Sequence, residues 1–196
     1  MNEQIRQILS QISSLEDDLH RLLQEQQVSF NYRLEGTKVF FEQNIRTAQQ
    51  RLKTGIIKFI LESQPRNLIS APFIYSVIFP VVLLDAWVSI YQMICFPLYR
   101  IARVPRSQYI IVDRHKLPYL NVIEKFNCIY CGYCSGVFAY AREIAARTEQ
   151  YWCPIKHARG VLDPHRRYAQ FADFGLAEEY HQTSIQLRKD LRREKD

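Results

Sequence analysis

From Ile5 to Leu22 the apolar positions fall alternately three and four residues apart: Ile5, Ile8, Ile12, Leu15, Leu19 and Leu22. This spacing predicts a helix with a coiled-coil seam. Leu9 and Leu23 flank the seam and widen it, so a helical hairpin or bundle answers the same pattern. Either way, self-association or a protein partner is the expected use of this region. A second helical pattern runs through Leu34, Phe41, Ile45, Ala48, Leu52 and Phe59. Between the two, Val28–Tyr32 and Gly36 weaken the repeat, as a hairpin turn or as a stutter in one long helix. Residues 1–67 are therefore read as a coiled coil or helical hairpin. The first 27 residues follow this repeat rather than the basic start, compact apolar run and small-residue cleavage site of a signal peptide.

The pattern then changes abruptly. Phe73 to Cys95 is 23 residues with one charge, Asp85. A helical membrane span needs about 20 apolar residues. Tyr75, Trp87, Tyr91 and Tyr99 suit interfacial depths. A plain span is opposed by Pro72, Pro80, Pro97 and Asp85, and by basic residues on both flanks, which leave the orientation unbiased. These features favour a re-entrant or interfacial hairpin over residues 68–99. Both ends would be cytoplasmic, with a break near Pro80 or Asp85 and Asp85 capping the break. The opposing reading is a buried helix pair in a soluble core.

Beyond residue 100 the pattern predicts one short strand at Ser107–Asp113 and a helix starting within Tyr119–Phe126. It then predicts a helix over Val137–Trp152 and a charged, solvated tail helix from Thr183. Residues 100–182 form a module and 183–196 a tail. The whole chain reads as mainly α.

Charge sharpens this picture. The chain has 196 residues and a net charge of +6. The excess is concentrated after the apolar segment, where residues 99–127 carry six basic and two acidic side chains. Arg100, Arg103 and Arg106 recur every three residues, and a helical turn would place them together. Such a cluster suits an anionic membrane lipid surface at about 1 kcal/mol per charge. Nucleic acid is not the expected partner, because no basic stripe interleaves with stacking aromatics.

Cys128, Cys131 and Cys134 form C-x2-C-x2-C, and Cys153 with Pro154 follows after the predicted helix. In the reducing compartment expected without a signal peptide, metal ligation is favoured over disulfides. Two residues between cysteines let a turn aim both sulfurs at one centre. Gly132 and Gly136 permit such turns, and a returning helix would bring Cys153 to the far side. Tyr130, Tyr133 and Trp152 would shield the centre from water. Cys153 and His157 form C-x3-H, so Cys128, Cys131, Cys153 and His157 make a tetrahedral zinc set with Cys134 spare.

Residues 128–154 also resemble the bacterial-ferredoxin motif, through Cys128, Cys131, Cys134 and the remote Cys153 before Pro154. The resemblance implies a [4Fe-4S] cluster serving electron transfer or the support of a partner complex. It includes no second cluster motif. The metal, iron–sulfur or Zn2+, stays open, as does the spare ligand.

No phosphate-binding glycine loop and no defensible Ser–His–Asp order is present. The expected protein is membrane-associated, with its cysteine module on the cytoplasmic side and an accessory or electron-transfer role. The alternatives are a soluble helical enzyme using the cysteine region and a zinc-stabilised scaffold.

Overall fold

The computed structural model describes residues 7–8, 11–12, 14–15, 17–19, 21–23, 25, 32–35, 38–41 and 43–194. The chain is mainly helical and divides into two compact units, residues 1–69 with 112–129 and residues 70–111 with 130–196.

In the first unit, the described positions between 7 and 25 are helical. Ile8, Ile12, Leu15, Leu19 and Leu22 of the expected seam are all exposed; Ile5 lies outside the described residues. The second predicted pattern is corrected at its start. Tyr32–Glu35 (β1) and Lys38–Phe41 (β2) pair antiparallel with Tyr32 opposite Phe41 and Glu35 opposite Lys38, so Leu34 and Phe41 are strand residues. Val39, Phe40 and Phe41 in succession favour extended backbone over helix. Helices Gln43–Arg51 (α1) and Ile56–Glu62 (α2) follow, split by an extended Gly55, and neither contains a buried residue.

Two further helices come next, Pro65–Ser76 (α3) and Ile78–Tyr99 (α4). Their break falls at Val77, which places Pro80 in the first turn of α4, where a missing N–H costs nothing. The expected hairpin, broken near Pro80 or Asp85, is not formed: Val77 keeps helical dihedrals, φ −61° and ψ −19°, so the chain bends there without turning back. Asp85 does not cap the bend: Asp85 is buried in mid-helix, seven residues into α4.

The predicted strand at Ser107–Asp113 is also absent. Arg106–Tyr109 is a single helical turn (α5), and a 3-10 turn covers Arg114–Lys116. The Arg100–Arg106 cluster is not helical, since residues 101–105 have no regular structure.

Helix Val122–Trp152 (α6) runs unbroken for 31 residues. Its start is a capping box: the Glu124 amide donates to Asn121 Oδ1 at 2.9 Å, and the Asn121 amide to Glu124 Oε2 at 2.8 Å. No proline interrupts the chain between Pro118 and Pro154, so helix propagates through the cysteine region.

The last helix, Ala177–Arg193 (α7), begins six residues before the predicted tail. It is not merely solvated, because Ser184, Leu187 and Leu191 are buried.

The core of the second unit has two clusters. One joins Phe96, Ile101, Val104, Tyr140, Ile144 and Leu191; the other joins Val81, Cys134 and Val137. Contacts run in step along α4 and α6. The Tyr133 hydroxyl meets Asp85, Tyr140 meets Gln92, and Tyr151 stacks on Tyr99. The two helices therefore lie parallel, and the segment from Arg100 to Ile111 returns between their directions. Val104 reaches Gln92, and Arg106 reaches Asp85. Since Asp85 precedes Tyr99 by 14 residues, the return covers about 21 Å of helix length.

Candidate functional site

Helix α4 has inverted polarity. Every third or fourth residue faces inward, and that inward set holds its polar groups: Asp85, Ser89 and Gln92, with Val81 and Phe96. The outward set is Phe79, Val82, Leu83, Trp87, Ile90, Met93, Ile94 and Leu98, all exposed and all apolar. A helix folded in water does the reverse. The stretch Pro65–Tyr99 is long and apolar enough to cross a membrane; its most apolar 18-residue window has a mean hydropathy of 2.0, yet only 11% of that window is buried.

The inward polar groups form one connected network. Arg106 grips Asp85 in a bidentate pair, Nε to Oδ1 at 3.1 Å and Nη2 to Oδ2 at 2.6 Å. Tyr133 donates to Asp85 Oδ2 at 2.9 Å, and Ser89 lies 3.5 Å from Oδ1. Asp85 therefore has acceptor capacity filled on both oxygens, which makes its burial tolerable. Four residues on from Asp85, Ser89 approaches the Tyr140 hydroxyl at 3.3 Å, and Gln92 Nε2 donates to that same hydroxyl. Gln92 also clamps the return segment: the Val104 amide donates to Oε1 at 2.9 Å, and Nε2 donates to the Val104 carbonyl at 3.3 Å. Arg147 adds a further tie, donating to the Ala102 carbonyl and to Glu143, both at 2.8 Å. The irregular backbone thus receives from side chains the partners a sheet would have supplied. The sequence signal for this network was the spacing of Asp85, Ser89 and Gln92, four and three apart on one helix face.

The cysteines stand differently from the expected turn. Cys128, Cys131 and Cys134 all lie within α6, each about 4.5 Å further along the axis and rotated by about 60° from the last. Cys134 is buried against Val81 and Val137, Cys131 is exposed, and Cys128 is half-buried. The expected return of the chain does not occur. Cys153 is one residue past the far end of the same helix, roughly 28 Å from Cys134 along the axis. His157 belongs to the stretch after that end. Its amide donates to the Tyr168 hydroxyl at 2.6 Å, and its ring stacks on Tyr168. Ile155 bridges to Ala172 in extended backbone, which takes His157 off the line of the helix. Neither the four-cysteine set nor the Cys128, Cys131, Cys153 and His157 set fits one metal centre in this arrangement. Among the described residues no group of three or more His, Cys, Asp or Glu side chains converges.

This geometry makes a prediction. Chelation should leave the thermal transition of the full chain unchanged, and anaerobically purified protein should hold less than one iron or zinc per chain. Stoichiometric metal retained through gel filtration would show instead that residues 128–136 leave the helix to bind it.

A second polar centre closes the C-terminal side. The Arg167 guanidinium meets Glu143 Oε1 at 2.9 Å, Glu194 Oε2 at 2.8 Å and Gln150 Oε1 at 2.9 Å. Gln150 donates in turn to the Leu187 carbonyl at 3.0 Å, so α6, α7 and the 3-10 turn Arg166–Gln170 share one knot. Beside it, His165 Nε2 lies 2.9 Å from Glu149. Arg167 holds the Glu194 carboxyl below its ordinary range, and Lys156 does the same for Asp173. A carboxyl with a depressed folded-state pKa binds fewer protons folded than unfolded. Its contribution is complete above the unfolded value of about 4.3 and is lost as pH falls through the lower folded value. Thermal melts should therefore show stability falling below about pH 4, with a shallower fall in Glu194→Gln.

Glu149 and Cys153 also edge an open apolar groove of about 480 Å³ lined by Val88, Tyr91, Ala145 and Trp152. Comparison of the chain with protein-family models, curated proteins and solved structures yields no match.

Proposed function

We propose that the protein is a membrane-associated accessory protein that acts through protein contacts rather than by catalysis. Helix α4 is its membrane-binding element, and the N-terminal helical seam is its partner-binding element. One observation carries the membrane half: α4 turns its only charge and its polar side chains inward and leaves an all-apolar face outside. In water this arrangement exposes large side chains at a cost and buries a carboxylate that would rather be solvated. Against lipid both features become favourable, because intramembrane polar groups face the protein interior. The exposed seam of Ile8, Ile12, Leu15, Leu19 and Leu22 supports self-association or a protein partner. The electron-transfer role implied by the ferredoxin resemblance draws no support from the helical placement of the cysteines.

The test is fractionation of the full chain. It should sediment with membranes, resist alkaline carbonate and high salt, and enter solution with detergent. Recovery in the supernatant without detergent would overturn the reading in favour of a soluble helical protein.

A further inference from the structure

Helix α4 is 22 residues long, about 33 Å, so its length alone suits either crossing a bilayer or lying along one. The return segment decides between them. Arg100, Arg103 and Arg106 are all exposed. Arg100 sits at the end of α4 with φ 59°. Arg103 adjoins Val104, whose partner Gln92 lies about 10 Å back along the helix, and Arg106 is paired to Asp85 about 21 Å back. The three guanidiniums are thus strung along the length of α4. A crossing helix would carry Arg103 and Arg106 into the hydrocarbon, at about 2.5–3.5 kcal/mol for a charge at the centre. Helix α6, parallel to α4, would add exposed Arg142, since it follows the Tyr140 that meets Gln92. None of these costs arises if α4 lies flat.

We infer that α4 lies in the plane of one leaflet. Its outward row Phe79, Leu83, Trp87, Ile90, Ile94 and Leu98 sinks among the acyl chains, while Arg100 and Arg103 meet anionic lipid headgroups. This rests on the membrane reading above and adds its orientation and lipid class. Interfacial helices insert by about 5–10 Å with basic residues at the headgroups, which is the placement this face and this row of arginines allow together. Arg100 and Arg103 have no carboxylate partner among the described residues, so both are available to phosphate or carboxylate headgroups.

The experiment uses the full chain on phosphatidylcholine vesicles with and without phosphatidylserine, brominated at shallow or deep acyl positions. Trp152→Phe leaves Trp87 as the sole reporter. Phe79→Trp, Ile90→Trp and Leu98→Trp are made one at a time in a Trp87→Phe/Trp152→Phe background. We expect shallow bromines to quench all four positions alike. We also expect Arg100→Gln/Arg103→Gln to weaken partition into phosphatidylserine vesicles by about thirtyfold and to leave partition into pure phosphatidylcholine unchanged. Deepest quenching at position 90 with shallow quenching at 79 and 98 would overturn the in-plane placement and leave membrane association standing. No quenching at any position would overturn membrane association itself. Unchanged partition of the arginine variant would overturn the headgroup assignment.

Discussion

Gln92→Leu should lower the unfolding temperature of the detergent-solubilised protein by roughly 6–12 °C, at about 2–4 °C per kcal/mol for a chain of this size. The expected loss is about 3 kcal/mol, because each buried group stripped of its partner costs about 1–3 kcal/mol. Gln92 is 7% exposed and serves three groups at once, the Val104 amide, the Val104 carbonyl and the Tyr140 hydroxyl. Leucine fills a similar volume, so the change reads hydrogen bonding more than packing. Val104 is itself buried, and water cannot readily replace the lost partners. Gln92→Glu separates the two halves of the clamp. It keeps an acceptor for the Val104 amide but offers no amide donor to the carbonyl or to Tyr140. A Gln92→Leu melt that overlays the wild type would refute the role of this clamp in holding the return segment.

Gly136→Ala should also destabilise the protein, by about 1–3 kcal/mol, the usual cost of overpacking. The sign opposes helix propensity, which favours alanine over glycine by about 1 kcal/mol in a helix interior. The reason is local. A Cβ at Gly136 would lie 2.7 Å from the Ile110 Cα and 2.8 Å from the Tyr109 carbonyl oxygen. Both are backbone atoms of the return segment and cannot swing aside as a side-chain end would. The segment must shift bodily, and Arg106, three residues before Tyr109, would move with it. Hydrogen exchange at residues 104–111 should therefore rise in Gly136→Ala along with the loss of stability seen in chemical unfolding. A gain in stability would show that the return segment is not pressed against α6.

These two residues also mark the border of what could be read before the fold was known. The mainly helical class, the apolar stretch at Phe73–Cys95 and an interruption near Pro80 were legible, because each follows from local spacing or from a missing proline N–H. The capping box at Asn121 and Glu124 is equally local. With it, the proline-free run to Cys153 points to one long helix through the cysteines instead of a turn. The C-x2-C-x2-C pattern misled because its spacing suits a metal-binding turn and a helix alike. Which of the two forms depends on whether the backbone bonds of residues 128–136 close within a helix.

The amino-acid sequence by itself determined the helix periods, the place of the apolar segment and the excess of positive charge after it, since these depend on neighbours three or four residues apart. Only the tertiary structure decided that Asp85 faces Arg106, that Gln92 holds an irregular return segment, and that α4 keeps its polar side inside. Those outcomes depend on contacts between residues as much as 51 positions apart, as with Ser89 and Tyr140. No local pattern carries the free energy of such a contact, because it exists only once the return segment has laid α6 alongside α4.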